Sequence, residues 1–473
     1  MKGMTASIRS ERTKLVLTDW VTANLSVFVF NIFRCFMANP LHDSISDVAN
    51  YIMQPKLCME QLLIPLILLF LYWISGFYNN PFGKSRFYEL LNTALICAIS
   101  TILIHLSLLT NDQMNDIEAN LVQIVLIFLI FFSLTFAGRL FVINRQIRHF
   151  KKKEWKYRAV VVGNSSKAHA LARQISGSKA IITTEIIGFF HIPGETDSDN
   201  AAWNLEDIAR ICSDRNIDHI IISPEKSDDN TVLNLVYQLF PLGIPLKLSP
   251  DTINFMTSSI HLKDIYGQPL VDLTHSRMSE GSKNMKRTID VVASAIVLVL
   301  LSPLFLLVAL WVRLDSPGPA FYTQQRIGLR QKPFNIIKFR TMRTDAEADG
   351  PQLSNDDDPR VTRCGRFLRK YRIDEIPQFF NVLKGDMSLV GPRPEREFFL
   401  RQIIRKAPYY TLLYQTRPGI TSWGMVKYGY ASHVDEMVER SKYDLLYISN
   451  MSILVDFKIM LYTVLTILEG KGK

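Results

Sequence analysis

The sequence has few cysteines, and their arrangement argues against a zinc centre. The five cysteines, at positions 35, 58, 97, 212 and 364, form no Cys-x-x-Cys pair. Zinc sites and disulfide frameworks both use closely repeated cysteines. The scattered single cysteines therefore indicate neither a zinc site nor a disulfide framework.

A complete dinucleotide-binding fingerprint is also missing. Gly163 follows a predicted strand, but the run Gly163–Ala168 lacks the second and third glycines of Gly-x-Gly-x-x-Gly. One interpretation is a nucleotide site, and the other is a Rossmann-like scaffold that binds nothing. So degenerate a fingerprint favours the scaffold.

Long apolar stretches dominate the first third of the chain. The 473 residues suggest two to four domains, and 48% of them are hydrophobic. Four stretches approach the ~20 residues that cross a bilayer. They are residues 15–37, 61–78, 88–110 and 121–142. The net charge of +10 fits cytoplasmic loops and anionic lipid better than nucleic acid.

Loop charges predict that both ends of this four-helix transmembrane bundle are cytoplasmic. Basic residues precede the first span, separate the second from the third, and follow the fourth. Residues 38–60 carry one lysine against several acidic residues, and residues 111–120 carry acidic residues and no lysine or arginine. Asp19, within the first span, is expected to snorkel or to pair inside the bundle. Cys35 and Cys58 would lie near one membrane face, so a disulfide between them stays open.

A soluble α/β domain is predicted over residues 156–275. Its parallel strands are predicted at Ala159–Val162, Ile186–Phe190, Ile217–Ile222 and Pro245–Leu248. A polar, basic linker is expected over residues 276–287.

The apolar run Ile289–Val312 is interrupted by Ser302-Pro303, so its helix should bend there. An ordinary kinked span is one interpretation. Basic residues on both flanks favour the other, a re-entrant segment over 288–313 that leaves the membrane on the side where it entered.

Two adjacent carboxylates, Asp374 and Glu375, stand where a helix is expected to begin, with Asp374 as N-cap and Pro377 in the first turn. A helix N-terminus attracts phosphate. Basic residues surround the pair in the sequence: Lys338, Arg340, Arg360, Arg366, Arg369, Arg372 and Arg393. Carboxylates among many cations indicate phosphoryl chemistry with a divalent cation, although such a pair can also be a simple cap.

Further elements are predicted around this pair. A hairpin is expected over Ala320–Gln325 and Phe334–Phe339, followed by an acidic loop over Asp345–Asp358. Helices are expected near 361–371, 375–384 and 395–406, the last lying either at the membrane interface or against the core.

Three linked motifs carry a resemblance to a known family. They are Lys338-Phe339-Arg340-Thr341-Met342, Ile373-Asp374-Glu375-Ile376-Pro377-Gln378 and Gly391-Pro392-Arg393-Pro394. With them, residues 286–473 resemble the catalytic module of bacterial polyprenyl-phosphate hexose-1-phosphate transferases, the monotopic phosphoglycosyl transferases. The whole chain is similar to the large form of that family, exemplified by the undecaprenyl-phosphate glucose phosphotransferases.

The resemblance implies a role for each matching residue. It makes Asp374 the nucleophile and Glu375 its partner, both near Mg²⁺. The positions that match substrate-binding or architectural residues are Lys338, Arg340, Arg369, Arg393, Arg417 and Asp456. Ser302 and Pro303 match the break of a re-entrant helix. The sequence departs from the family at Tyr371-Arg372-Ile373 and at Ser422 after Thr421.

The implied protein is a multi-pass enzyme of the bacterial inner membrane, with its catalytic domain on the cytoplasmic face. Its layout would be a transmembrane bundle over 1–150, a Rossmann-like α/β domain over 156–275, and an α+β catalytic domain over 283–473. The implied substrates are a UDP-sugar and undecaprenyl phosphate, with UMP released. Homo-oligomerisation stays open.

Two other functions compete with this one. Four spans followed by an α/β domain also resemble the membrane nucleotide-sugar dehydratases. These need a Tyr-x-x-x-Lys pair, and residues 156–275 have none. A non-catalytic scaffold for polysaccharide assembly is the third interpretation, and the intact Asp374-Glu375 pair argues against it.

Overall fold

The computed structural model describes residues 4–38, 45–82, 86–109, 117–152, 155–177, 184–193, 195, 202–225, 229–249, 271–272, 278–348, 350, 352, 358–429 and 431–468. The side chains at a few helix ends within these ranges are not described.

Four long apolar helices form the N-terminal part of the protein. They are α1 (Met4–Ala38), α3 (Pro55–Ile74), α4 (Arg86–Leu109) and α5 (Ile117–Lys151), and a short helix α2 (Ile45–Ile52) lies between the first two. Each of the four is long and apolar enough to cross a membrane. Large apolar side chains such as Leu62 and Leu103 remain exposed, as expected of helices that face lipid. The prediction of four membrane helices is therefore confirmed, although α1 and α5 continue well beyond their apolar stretches.

A buried group of charges ties these helices together. Arg139 on α5 donates hydrogen bonds to Asp19 on α1 at 2.8 and 2.9 Å and to Glu89 on α4 at 3.1 Å. Its guanidinium also lies 3.7 Å from the ring centre of Phe77. Asp19 thus pairs inside the bundle and does not snorkel. Cys35 is buried, Cys58 is exposed, and both thiols are free, so the disulfide left open above does not form.

A five-stranded sheet follows the bundle. Its strands are β1 (Tyr157–Val162), β2 (Thr184–Phe190), β3 (His219–Ile222), β4 (Leu246–Leu248) and β5 (Val271–Asp272), in the order β2-β1-β3-β4-β5. The first four are parallel, as predicted, and β5 is antiparallel. Helices α6 (Ser166–Gly177), α7 (Ile208–Asp214) and α8 (Asp229–Leu239) connect them.

Gly163 sits where the missing fingerprint would begin, and its backbone has a positive φ of 127°. A Cβ at this position would collide with the carbonyl oxygen of Ser223, at the end of the neighbouring strand. This close approach of two backbones accounts for the glycine without any ligand.

A helix pair broken at Ser302 leads into the C-terminal part. Helix α9 (Glu280–Leu300) and helix α10 (Ser302–Asp315) meet at a bend of 65°. Pro303 lies in the first turn of α10, where its missing N–H costs nothing. The predicted bend is confirmed. The predicted linker is wrong for residues 280–287, because Ser279 caps α9 by accepting from Ser282 N at 3.1 Å and the helix starts there.

The C-terminal part combines small sheets with short helices. Strands β6 (Phe321–Ile327) and β7 (Pro333–Phe339) form the predicted antiparallel hairpin, and β8 (Ser388–Val390) pairs in parallel with β9 (Gly419–Thr421). The helices are α11 (Arg363–Lys370), α12 (Gln378–Lys384), α13 (Glu397–Lys406), α14 (Trp423–Lys427), α15 (Val434–Ser449) and α16 (Ile453–Leu468). Phe399, Leu400 and Ile403 of α13 are buried in the core, so that helix is core-facing.

The bundle docks directly onto the start of α9. Asn79, just after α3, donates to Glu280 at 2.8 Å, and Asn284 donates to the carbonyl of Trp73 at 2.6 Å. Two glycines make this approach close: a Cβ on Gly76 would lie 2.5 Å from Gly281 N. The broken helix is therefore packed against the membrane bundle at its N-terminal end.

Candidate active site

Glu375 is held by two cations. Lys338, on β7, donates to Glu375 Oε1 at 2.8 Å, and Arg393 donates to the same oxygen at 3.4 Å. Strand alternation explains the position of Lys338, because its neighbour Phe339 points into the core beneath α10. Burial opposes ionisation of Glu375, but the charges of Lys338, Arg393 and Arg372 outweigh it and hold its pKa below the usual range.

Asp374 has the opposite shift. Burial raises its pKa to about 6, and the charge of Glu375 adds to the rise, while Lys338, Arg369 and Arg393 lower it. No hydrogen bond joins its carboxylate to any residue that the structure describes. The two adjacent carboxyl groups are both buried but have different partners. Glu375 forms ion pairs, whereas Asp374 lies near cations without a hydrogen bond to a described residue.

A 3₁₀ turn over Ile373–Glu375 presents the two carboxylates. It follows Arg372, whose φ of 55° is left-handed and unusual for a residue other than glycine. Helix α12 begins only at Gln378, with Pro377 before it, so Asp374 is not its N-cap and the capping prediction is wrong. The turn replaces the expected first helical turn, so neither carboxylate is used to cap the helix.

The other oxygen of Glu375 bears on metal binding. Oε2 is buried and has no hydrogen-bond partner among the described residues, and leaving such an atom unsatisfied is costly. Mg²⁺ prefers one or two carboxylates together with substrate phosphates and water. The free Glu375 oxygen and the unbonded Asp374 carboxylate fit that ligand set. No group of three or more acidic, histidine or cysteine ligands occurs in the described part of the chain.

Arg369 lies near Asp374 and is positioned by the first motif. Its Nε donates to Thr341 Oγ1 at 2.9 Å. Arg340, in the same motif, has different partners at the end of α10. It donates to the carbonyl of Ser316 at 2.6 Å and to that of Val312 at 3.3 Å. The motif therefore contacts both the site, through Thr341, and the end of the broken helix, through Arg340.

Two other predicted site residues lie among different partners. Arg417 donates to the carbonyl of Gly385 at 2.9 Å. Asp456 accepts from Lys286 at 2.6 Å and from the Tyr447 hydroxyl at 2.7 Å. These contacts join α9 to the last helices. The structure thus gathers Lys338, Arg369, Arg393 and the two carboxylates, and places Arg340, Arg417 and Asp456 elsewhere.

Asp444 was missed by the sequence reasoning. It is 2% exposed and accepts from Gly424 N at 2.8 Å, and the backbone N–H of Arg393 is close enough to lower its pKa. Burial raises its pKa to about 6. Arg393 is steadied further by its contact with Met425 Sδ at 3.1 Å. A lone aspartate within a helix carries no motif, so no sequence signal marked it.

Comparison with known proteins decides the family. Residues 281–470 match the family described as bacterial sugar transferase. The chain is 46% identical over 187 residues to a UDP-glucose:undecaprenyl-phosphate glucose-1-phosphate transferase of Caulobacter vibrioides, and the match covers 39% of this chain and 69% of that protein. The chain belongs to the bacterial sugar transferase family.

Two further relatives carry related names. A UDP-glucose:undecaprenyl-phosphate glucose-1-phosphate transferase of Escherichia coli is 33% identical over 310 residues, which is 65% of this chain and 67% of that protein. A UDP-N-acetylgalactosamine-undecaprenyl-phosphate N-acetylgalactosaminephosphotransferase of Aeromonas hydrophila is 46% identical over 188 residues. That match covers 40% of this chain and 44% of the relative. All three are sugar-phosphate transferases by name.

The bacterial sugar transferase match contains every residue of the site described above. The two departures noted in the sequence have structural roles. Arg372 contributes charge beside Glu375, and Ser422 caps α14 by accepting from Met425 N at 3.0 Å. Both departures therefore border the site and leave its carboxylates in place.

Proposed function

We propose that this protein transfers a hexose-1-phosphate from a UDP-sugar to undecaprenyl phosphate and releases UMP. The observation that carries the proposal is the division of the dyad. Glu375 is held ionised by Lys338 and Arg393, while Asp374 beside it is buried and has no hydrogen bond to any described residue. Family membership and the names of the relatives support the reaction class.

The chemistry would run in two displacements at one phosphorus atom. A carboxylate oxygen of Asp374 attacks the phosphorus that bears the sugar, the bond to the UMP oxygen breaks, and UMP leaves. A phosphate oxygen of the lipid then attacks the same phosphorus and frees Asp374. Splitting the transfer in this way lets one pocket serve two phosphate substrates in turn. Arg369 and Arg393 would neutralise the phosphate charge.

Asp374 and Glu375 would hold Mg²⁺, through the Asp374 carboxylate and the unpartnered Glu375 Oε2. A bound Mg²⁺ would neutralise charge on the diphosphate of the donor. Lys338 keeps Glu375 ionised and oriented for this purpose, because its ammonium group lies 2.8 Å from the other oxygen.

The proposed setting is the inner membrane of a bacterium, with the site at the cytoplasmic face. The four N-terminal helices would span the bilayer, the α/β sheet would form a Rossmann-like domain without cofactor, and residues 288–313 would re-enter the membrane at the Ser302 break. A site at this surface meets a soluble donor and a lipid acceptor together. The product would begin exopolysaccharide, capsule or O-antigen synthesis.

Product analysis tests the proposal. Membranes that contain the protein are incubated with undecaprenyl phosphate and a panel of UDP-sugars, including the glucose and N-acetylgalactosamine donors named for the relatives. UMP as the released nucleotide is expected. UDP as the sole nucleotide would indicate ordinary glycosyl transfer. Absence of any released nucleotide would favour a scaffold.

A further inference from the structure

A cavity of about 460 Å³ lies where the α/β sheet, the start of α9 and the C-terminal part meet. Phe240, Gly243 and Ile244 of the α/β part form one wall, and Lys283 and Arg287 of α9 form another. The tip of the β6–β7 hairpin and the segment that ends at Arg417 complete it. Its lining includes none of the side chains that surround Asp374 and Glu375, so this junction cavity is separate from the candidate active site.

The lining of the junction cavity is strongly basic. It contains Lys283, Lys286, Arg287, Arg330 and Arg417 against Glu280 and Asp290. Lys283 pairs with Glu280, and Lys286 pairs with Asp456. Asp290 accepts from the backbone N–H of Leu389 at 3.1 Å. With both lysines paired, three arginines face the single carboxylate of Asp290, so the space keeps a net positive charge.

Arg287 and Arg417 are oriented by backbone carbonyls. Arg287 donates to Val382 O at 2.7 Å and to Leu383 O at 3.1 Å, and Arg417 donates to Gly385 O at 2.9 Å. Neither forms an ion pair with a carboxylate of the described residues. Burial lowers the pKa of Arg417 and the charge of Arg287 lowers it further, while Asp290 opposes the shift only in part. Two half-buried cations that repel each other would be stabilised by an anion between them.

The hairpin tip adds one buried donor that has no acceptor among the described residues. Arg330 and Gln331 both have left-handed backbones, with φ of 54° and 57°. Such strain in residues other than glycine is found at ligand-binding positions. Gln331 Nε2 is buried without a hydrogen-bond partner among the described residues. The tip thus turns a charged and an amide side chain toward a space that already carries positive charge.

Apolar side chains limit what kind of anion fits. Phe240, Ile244, Leu329 and Met451 line the cavity beside the cations. A space of this size is in the range of small-molecule pockets, at ~300–1,000 Å³. An aromatic and aliphatic wall opposite arginines suits a ligand with a flat organic group and a phosphate. From this combination we infer that the junction cavity binds a nucleoside mono- or diphosphate, at a site distinct from the carboxylate dyad.

Photolabelling of the full chain in phosphatidylcholine nanodiscs tests the inference, with 5-azido-UMP as the probe. Binding is measured without turnover, so the result does not depend on the proposed reaction. Labelled peptides should include residues 240–245 or 448–451. Arg417→Gln should weaken this labelling about tenfold, the scale for one lost charge-assisted hydrogen bond. Lys338→Met alters the surroundings of Glu375 and should leave the labelling of the cavity peptides unchanged.

Arg330→Asn guards against misfolding of the Arg417 variant, because asparagine tolerates a left-handed backbone and the side chain of Arg330 is exposed. It should also reduce cavity labelling, whereas Lys332→Asn, on the same hairpin but outside the lining, should not. Labelling confined to peptides around the dyad would overturn the inference. The inference would also be overturned if phosphatidylglycerol from the membrane co-purified with the wild type but not with Arg417→Gln. The occupant of the cavity would then be a lipid headgroup.

Discussion

Lys338 Nζ lies 2.8 Å from Oε1 of Glu375, and this contact makes two neighbouring carboxyl groups unequal. The ion pair keeps Glu375 ionised despite burial, whereas Asp374 has its pKa raised to about 6. A pair of titratable groups whose environments separate their pKa values is a common arrangement for dividing catalytic roles.

Replacing Asp374 by asparagine should abolish turnover and leave the fold intact. Asparagine keeps the size of the side chain but removes the attacking charge, so we expect a fall in kcat of roughly 10⁴-fold or more. Labelled sugar phosphate should remain attached to the wild type when lipid is withheld, and not to the variant. Asp435→Asn, at an exposed carboxylate, is the matched control. A variant that still accumulates the adduct would transfer the nucleophile's role to Glu375.

Formation of the adduct should depend on pH through Asp374. Because its folded-state pKa is raised to about 6, the carboxylate is lost as the pH falls through that value, and the rate should fall with it. Lys338→Met removes the charge that lowers this pKa most, so the midpoint should move to higher pH. The measurement is the single-turnover rate from pH 5 to pH 8. An unshifted midpoint in Lys338→Met, with exposed Lys332→Met as control, would contradict the assignment.

Asp444 should make stability depend on pH in a recognisable way. Its folded-state pKa is raised to about 6 from 3.8, so the folded state binds the proton more tightly than the unfolded chain. The wild type should therefore lose stability relative to Asp444→Asn as the pH rises from 4 to 6, by on the order of 2–3 kcal/mol. Thermal unfolding of both proteins in detergent measures this. Parallel pH curves would show that Asp444 does not titrate there.

If Asp444 positions Arg393, the same variant should also affect catalysis. Loosening the backbone of Arg393 should raise KM for the donor more than it lowers kcat, because Arg393 is proposed to bind phosphate. Arg440→Met, which breaks a buried ion pair with Glu395 nearby, serves as the control for general destabilisation. An equal loss in both parameters in the two variants would indicate a purely structural role.

Cysteine labelling tests whether the broken helix re-enters the membrane. In a cysteine-free background, Ser282→Cys lies in the first turn of α9 and Ser316→Cys directly follows α10. Both should react from the cytoplasmic side. Reaction from opposite sides would establish a kinked span. Pro303→Ala should favour a straighter helix and reduce activity, because the 65° bend brings α10 back over the hairpin.

Arg139→Gln should destabilise the bundle strongly. It leaves Asp19 and Glu89 buried without their cation, a loss on the order of 3–5 kcal/mol. Replacing all three residues, as Asp19→Asn, Glu89→Gln and Arg139→Gln, should restore much of the lost stability. Thermal unfolding in detergent compares the single and triple variants. Equal melting temperatures for the two would mean that the charges are not coupled.

Local patterns predicted the helices and strands well, since each rests on periodicity within a short window. The four membrane helices, the parallel strands and the β6–β7 hairpin were all predicted. The start of α9 was missed because Ser279 caps a helix in which polar residues lead into the apolar run. The tight turn at Asp374 was missed because its cause is the left-handed backbone of Arg372, which no residue pattern encodes.

The sequence predicted only some of the residues that form the site, and the reason is physical. Motifs place residues near each other along the chain but do not say which way a side chain points. Arg340 and Lys338 are two residues apart, yet one binds the carbonyls at the end of α10 and the other binds Glu375. Asp444 and the junction cavity depend on contacts between distant segments, which a single sequence does not reveal.

The glycine contact between the bundle and α9 has a consequence for where the reaction takes place. With Gly76 and Gly281 in contact, the bundle meets α9 by direct backbone packing. If α3 is anchored in the bilayer, the immersion depth of the broken helix is fixed with it. A bulkier residue at Gly281 would collide with the carbonyl of Ser75 and push α9 away from the bundle, so the depth of the broken helix would change while the dyad itself remained intact.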